Sequence, residues 1–133
     1  GWVLSDTLMA TSTIAALKMG IERNDGADLS GLIHHSDRGS QYCSNAYVDL
    51  LKSVNASISM TEDYKPTDNA IAERVNGIIK QEWLYRMKRP KDLEEARNII
   101  RGIVEFYNNK RPHMSNGMMT PAQKRKSYVD TAA

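Results

Sequence analysis

His34-His35-Ser36-Asp37-Arg38-Gly39-Ser40-Gln41-Tyr42 decides how this chain is read. It follows the apolar run Gly31-Leu32-Ile33, so Asp37 is expected at the carboxyl end of a strand, where side chains open into a crevice. Downstream, Asp68-Asn69-Ala70-Ile71-Ala72-Glu73 opens a helix expected to reach Lys80. Positions 38 to 72, 35 residues, separate Asp37 from Glu73. That is room for one helix, one further strand and a loop, so two carboxylates distant in sequence can meet at one point.

The helix pattern supports this. Ile71, Val75, Ile78 and Ile79 fall at i, i+4, i+7 and i+8, the stripe that faces a core. Glu73 lies on the opposite side, and Lys80, seven positions later, returns to nearly the same angle. Asn69, Asn76 and Gly77 share that polar side. A mid-helix glycine costs about 1 kcal/mol relative to Ala, and it leaves room for a bulky partner to approach the backbone.

An Asp after a strand, 35 residues, a Glu on a helix and a Lys seven residues on resemble the signature of retroviral integrases and related DDE transposases. The wording of the chain narrows this: His-Ser-Asp-Arg-Gly-Ser-Gln-Tyr, then Asp68-Asn69-Ala70-x-x-Glu73, then Tyr107-Asn108-x-x-Arg111-Pro112-His113, then Thr120-Pro121-Ala122. This set resembles the bacterial transposases of the family named after insertion sequence three, over nearly the whole chain. The resemblance implies an α/β, ribonuclease H-like fold, the integrase core. The chain is expected to supply its carboxyl-terminal part, parallel strands flanked by helices, with the first strands and the first catalytic Asp upstream of Gly1. One partial core domain over residues 1–133 is expected, with an α/β part over about 1–85 and carboxyl-terminal helices over about 92–127.

By the same resemblance the full-length protein is a polynucleotidyl transferase that cuts DNA and joins its 3′ end in Mg²⁺-dependent transposition, and the fragment alone is expected to be inactive. Two divalent ions about 3.5–4 Å apart activate the attacking oxygen and neutralise the leaving one in such chemistry. Mg²⁺ or Mn²⁺ takes hard carboxylate oxygens, and Asp37 and Glu73 are the expected catalytic, metal-holding pair. Lys80 matches the lysine that meets a phosphate near the scissile bond. Arg38, Ser40 and Gln41 lie in the loop after Asp37, where phosphate or base contacts are made. Asn69 either orients Glu73 or caps the helix, and Asn76 joins the same DNA-facing side. Transposon ends and target DNA are the expected partners of a homo-oligomer, with no small-molecule substrate and no membrane. The alternatives are a purely hydrolytic nuclease of this fold and a non-catalytic DNA-binding or dimerisation module. The plainer roles are a loop cap for Asp37 and solvated surface for Glu73 and Lys80.

Composition is compatible with this and selects nothing. Charged residues are 26% and hydrophobic ones 41%, ordinary for a globular protein and unlike a disordered one. The net charge of +2 does not by itself point to nucleic acid. Cys43 is the single cysteine, which excludes an internal disulfide or a cysteine-based zinc site and suits a reducing cytosol. No run approaches the roughly 20 apolar residues of a membrane span, and the resemblance implies a cytoplasmic, nucleoid-associated bacterial protein. The chain begins Gly-Trp-Val-Leu rather than with Met, as expected of a piece of something longer.

Along the chain, Trp2-Val3-Leu4 reads as a strand tail, with Ser5 or Asp6 capping a helix that carries Ala10, Ile14, Leu17 and Ile21 and ends at Asn24-Asp25-Gly26. After the Asp37 loop, Ser44 is expected to cap a helix bearing Tyr47, Val48, Leu50, Leu51 and Val54, and Ala56 to Met60 forms a last strand. Residues 61 to 67 form a loop, and Asp68 is the expected cap of the Glu73 helix. His34 and His35 alternate across their strand. Trp83, Leu84 and Tyr85 close the Glu73 helix, Arg86 to Pro90 breaks it, and Asp92-Leu93-Glu94-Glu95 is a capping-box pattern opening a helix that Pro112 stops. Thr120-Pro121 starts the last helix. The runs Arg86, Lys88, Arg89, Lys91 and Lys124, Arg125, Lys126 suit a DNA backbone as well as plain solvated surface.

Overall fold

A computed structural model of the protein describes residues 1–7, 9–24, 28–61 and 69–132. They form two compact units, Gly1–Gly77 and Ile78–Ala133.

The first unit is built on a strand–helix–strand crossover. Strand β1 (Ile33–Ser36) lies parallel to β2 (Ser57–Met60), with His34 opposite Ile58 and Ser36 opposite Met60. Between them runs α2 (Asn45–Ser53). Parallel neighbours need a crossover of this kind, and the turn at its end shows how the sequence makes it. Asn55 takes the left-handed conformation at φ 58°, Ala56 N–H donates to Leu51 O at 3.1 Å and Asn55 N–H to Lys52 O at 3.0 Å, the paired bonds of a Schellman ending. That turn folds Ala56 back onto Leu51. The core is Tyr47, Leu51 and Ala56, against which Ile14, Leu17, Tyr42 and Val54 pack. Ile14 and Leu17 come from α1 (Ala10–Glu22), on the stripe expected of them.

Several expectations shift. Trp2, Val3 and Leu4 form no strand; a strand exists only where a neighbour takes up its N–H and C=O groups, and β1 and β2 are the two strands of the sheet among the described residues. Helix α1 starts at Ala10 with Met9 as its cap residue, not at Ser5 or Asp6, because the Ser5 hydroxyl instead accepts from Thr7 N–H at 3.2 Å in a local turn. Strand β1 takes in Ile33 as expected but not Leu32, and Gly31 lies in a turn. Ser44 does sit at the cap position of α2, but its hydroxyl donates to Gln41 O at 3.0 Å instead of receiving a helix N–H. Asp25, Gly26, residues 62–67 and Asp68 lie outside the described residues.

The Glu73 helix also differs. Helix α3 runs Ala70–Ile78 and gives way to a π-turn, Ile79–Trp83, and then a 3₁₀ turn, Leu84–Arg86. Lys80 is therefore the second residue of the π-turn, where the spacing of an α-helix no longer applies. Ile71, placed on the core stripe by periodicity, is 85% exposed, whereas Val75, Ile78 and Ile79 of the same stripe are half-buried; a stripe is buried only where an element covers it.

In the second unit, α4 (Leu93–Asn109) opens as the sequence predicts: Asp92 Oδ1 accepts from Glu95 N–H and Glu95 Oε2 from Lys91 N–H, both at 2.7 Å. Ile103 is the buried centre of its apolar face. Helix α5 (Pro121–Ala132) packs on α4. It too begins with a reciprocal cap, Thr120 Oγ1 accepting from Gln123 N–H at 3.2 Å and Gln123 Oε1 from Thr120 N–H at 2.9 Å. No helix among the described residues is long and apolar enough to cross a membrane.

Candidate active site

Asp37 is the first residue past β1, after the buried Ser36. Its Oδ1 accepts from Gly39 N–H at 2.9 Å, a tight Asx turn, and Gly39 O then receives Tyr42 N–H at 2.9 Å and Cys43 N–H at 3.3 Å. A Cβ on Gly39 would lie 3.0 Å from Asp37 Oδ1 and would displace the end of the Gln41 side chain, so a larger residue here crowds both side chains of the loop. Arg38 Nε donates to Thr61 O at 2.8 Å, tying the loop to the residue that follows β2. Ser40 and Asp37 are exposed and Gln41 is half-buried.

Behind Asp37 the first unit holds a cavity of about 420 Å³. One wall is His34, Ser36, Asp37, Tyr42 and Tyr47, another is α1 through Thr13, Ala16 and Leu17, and the third is Asn69, Ala72 and Asn76. The last three are the spacing of a single helix face. Glu73 is exposed and follows Ala72 directly, about 60° round the helix from Asn76, so it flanks the face turned to the cavity. Asp37, Asn69 and Asn76 thus share one cavity with Glu73 at the edge of the helix face that lines it. Lys80 lies in the second unit and is exposed. No group of three or more His, Cys, Asp or Glu gathers among the described residues.

The floor of the cavity is polar in a way the sequence did not disclose. His34 Nε2 and the Tyr47 hydroxyl are 3.0 Å apart, with the rings edge to face at 5.5 Å, so β1 is bonded to α2 through side chains. His34 Nδ1 is buried with no partner beyond its own backbone among the described residues, and the Ser36 hydroxyl is buried without one. Burial lowers the His34 pKa, with the nearby His35 adding to it, and pushes the Tyr47 phenol up to about 12. His35, on the other face, has Nδ1 2.9 Å from Ser59 Oγ.

The lowered His34 pKa carries a sign. Below its ordinary value of 6.5 the unfolded chain binds a proton that the folded chain resists, so stability is complete above that pH and declines as pH falls toward the folded value. Urea unfolding is expected to show a lower midpoint at about pH 5.5 than at neutrality. His34→Gln is expected to flatten that slope, and an unchanged slope in the variant would rule His34 out as its source.

Charge is divided between the units. The first has six Lys and Arg against ten Asp and Glu, net −4, and the second twelve against six, net +6. The total of +2 conceals this.

The parallel crossover with its flanking helices has a ribonuclease H-like fold, and solved structures share it. The crystal structure of the catalytic core domain of BIV integrase matches with a TM-score of 0.68 at 18% identity, over 98% of this chain and 80% of that one. A chain of the simian T-cell lymphotropic virus intasome matches with a TM-score of 0.63 at 18% identity, over 82% of this chain and 37% of that one. The chain belongs to the integrase core domain family, two models of which match residues 1–66 and 54–121. It is 34% identical over 128 residues to the transposase for insertion sequence element IS629 of Shigella sonnei, a match covering 96% of this chain and 42% of that protein. The chain thus spans less than half the length of that relative.

Three features escaped sequence reading: the His34–Tyr47 bond, the π-turn, and an ion pair between Glu82 and Arg111. The Thr120-x-x-Gln123 cap was written in the sequence as a capping box.

Proposed function

We propose that this chain is the Asp37–Glu73 part of an insertion-sequence DDE transposase core, and that the full-length protein cuts transposon ends and joins them to target DNA. The observation that carries the proposal is the meeting of Asp37 with the Asn69–Ala72–Asn76 face at one cavity, with Glu73 flanking that face. The donors suit the metal that the family implies. They are carboxylate and amide oxygens, hard ligands of the kind Mg²⁺ and Mn²⁺ take. Asp37 and Glu73 would hold the ions, which supply neutralisation of the attacking and leaving oxygens. The chain's own contribution is to pin the Asp37 loop through Gly39 and Arg38 and to present Asn69 and Asn76 beside the carboxylates.

Lys80 contacts a DNA phosphate in this reading, with Arg38, Ser40 and Gln41 near the same strand. Arg38 Nε is already engaged at Thr61 O, so its phosphate contact would come from the rest of the guanidinium. The α/β part over about 1–85 carries the chemistry, and the runs Arg86, Lys88, Arg89, Lys91 and Lys124, Arg125, Lys126 within the net +6 second unit support a contact with the DNA backbone. The protein works as an oligomer, since two ends must be held together.

The test is an assay of the full-length protein with terminal-repeat DNA, target DNA and Mg²⁺. Joined products are expected, and none from the 133-residue chain alone, which carries two of the three carboxylates the family calls for. Nicked ends that are never joined would mean a hydrolytic nuclease instead.

A further inference from the structure

Tyr107, Arg111, Pro112 and His113 form a motif that the metal and DNA contacts leave unused. Within the second unit this segment grips the π-turn. Arg111 Nη2 lies 2.6 Å from Glu82 Oε1 and Nε 3.0 Å from Oε2, a parallel fork. Behind it Arg111 Nη1 is 3.3 Å from His113 Nδ1, and Tyr107 stands edge-on to the His113 ring at 4.8 Å. Trp83, next to Glu82, meets Phe106 at 5.8 Å, and Arg86 Nε donates to Gln81 O at 3.1 Å.

Turns of this kind are rare and persist where surrounding contacts impose them, frequently at functional sites. An exposed ion pair ordinarily contributes little, but the two-pronged Arg–carboxylate geometry is the exception. The hydrogen bond from Arg111 holds the Glu82 carboxyl below its usual range, in agreement with that geometry. Lys80 lies two residues from Glu82 in the same turn.

We propose that Arg111 and Glu82 are positioning residues whose fork fixes the π-turn and so aims Lys80, and that the Tyr107-to-His113 motif serves DNA through Lys80 rather than by touching it. The inference rests on the reading that Lys80 meets a phosphate. It differs in sign from direct phosphate binding by Arg111, in which Glu82 competes with DNA. There, removing the Glu82 charge frees Arg111 and tightens binding. As a positioning pair, the same change loosens it.

The experiment measures binding of the full-length protein to a fluorescent random-sequence duplex over a salt series, with melting followed for each variant. Lys80→Ala is expected to weaken binding and to lower the slope of log K against log salt by about 1. Glu82→Gln, although it deletes an acid, is expected to do the same. So is Arg111→Lys, which keeps the charge and loses the fork. Adding Glu82→Gln to Lys80→Ala is expected to cost nothing more. Tighter or unchanged binding in Glu82→Gln, beside an affected Lys80→Ala, overturns the positioning role alone. A loss in Glu82→Gln or Arg111→Lys larger than that of Lys80→Ala shows the pair acting on more than Lys80 and also overturns it. No effect of Lys80→Ala removes the phosphate contact on which both rest.

Discussion

Asp37→Asn in the full-length protein is expected to abolish DNA cutting and joining while leaving DNA binding intact. Asparagine has the same shape and still accepts from Gly39 N–H as Asp37 does now at 2.9 Å, so the loop is kept and the negative charge alone is lost. An amide oxygen is a far weaker partner for a divalent ion than a carboxylate, and metal neutralisation of the transferring oxygens lowers the barrier by several kcal/mol. At 1.36 kcal/mol per tenfold, a loss of roughly a thousandfold in joining rate follows. Glu73→Gln is expected to fall by a similar factor, and the double variant little further, because the two carboxylates act as one unit. Removing an acid beside a phosphate backbone also predicts equal or tighter DNA binding. Joining is read on a gel with terminal-repeat DNA. Rates within tenfold of the parent in both single variants would leave a DNA-binding or dimerisation module as the better account.

The second large effect is on stability. Leu51 is 1% exposed at the centre of the Tyr47–Leu51–Ala56 core, and its carbonyl accepts the Ala56 N–H that closes α2. Truncation to Ala leaves a cavity where Ile14, Leu17 and Val54 now converge, at a cost of about 2–5 kcal/mol. A domain of this size has only about 5–15 kcal/mol in total. Leu51→Ala is therefore expected to shift the urea midpoint strongly downward or to leave the first unit unfolded. Ile71→Ala, at a side chain 85% exposed, is expected to change stability by no more than about 0.5 kcal/mol. Similar shifts in the two variants would contradict the core described here.

Much of this was legible because it is local. Asp37 falls after a strand since the apolar run and the Asp-x-Gly turn are adjacent in sequence, and the α4 cap is written out as Asp92-x-x-Glu95. The parallel pairing of β1 and β2 followed from helix length between two short strands. What the sequence could not show depends on partners distant along the chain. Trp2 to Leu4 have strand composition and no ladder to join among the described residues. Ile71 has the right period and is 85% exposed. The π-turn is bonded through Glu82 to Arg111, 29 residues on, and periodicity at 100° per residue runs straight through it. The His34–Tyr47 bond joins residues 13 apart, which no spacing rule connects.

The most direct measurement is an anomalous difference map from a crystal of the protein soaked in Mn²⁺. The account predicts a peak bound by carboxylate oxygens of both Asp37 and Glu73, at the mouth of the cavity that Asn69 and Asn76 line. Well-ordered Asp37 and Glu73 side chains turned away from each other, with Mn²⁺ bound elsewhere or to only one of them, would contradict it.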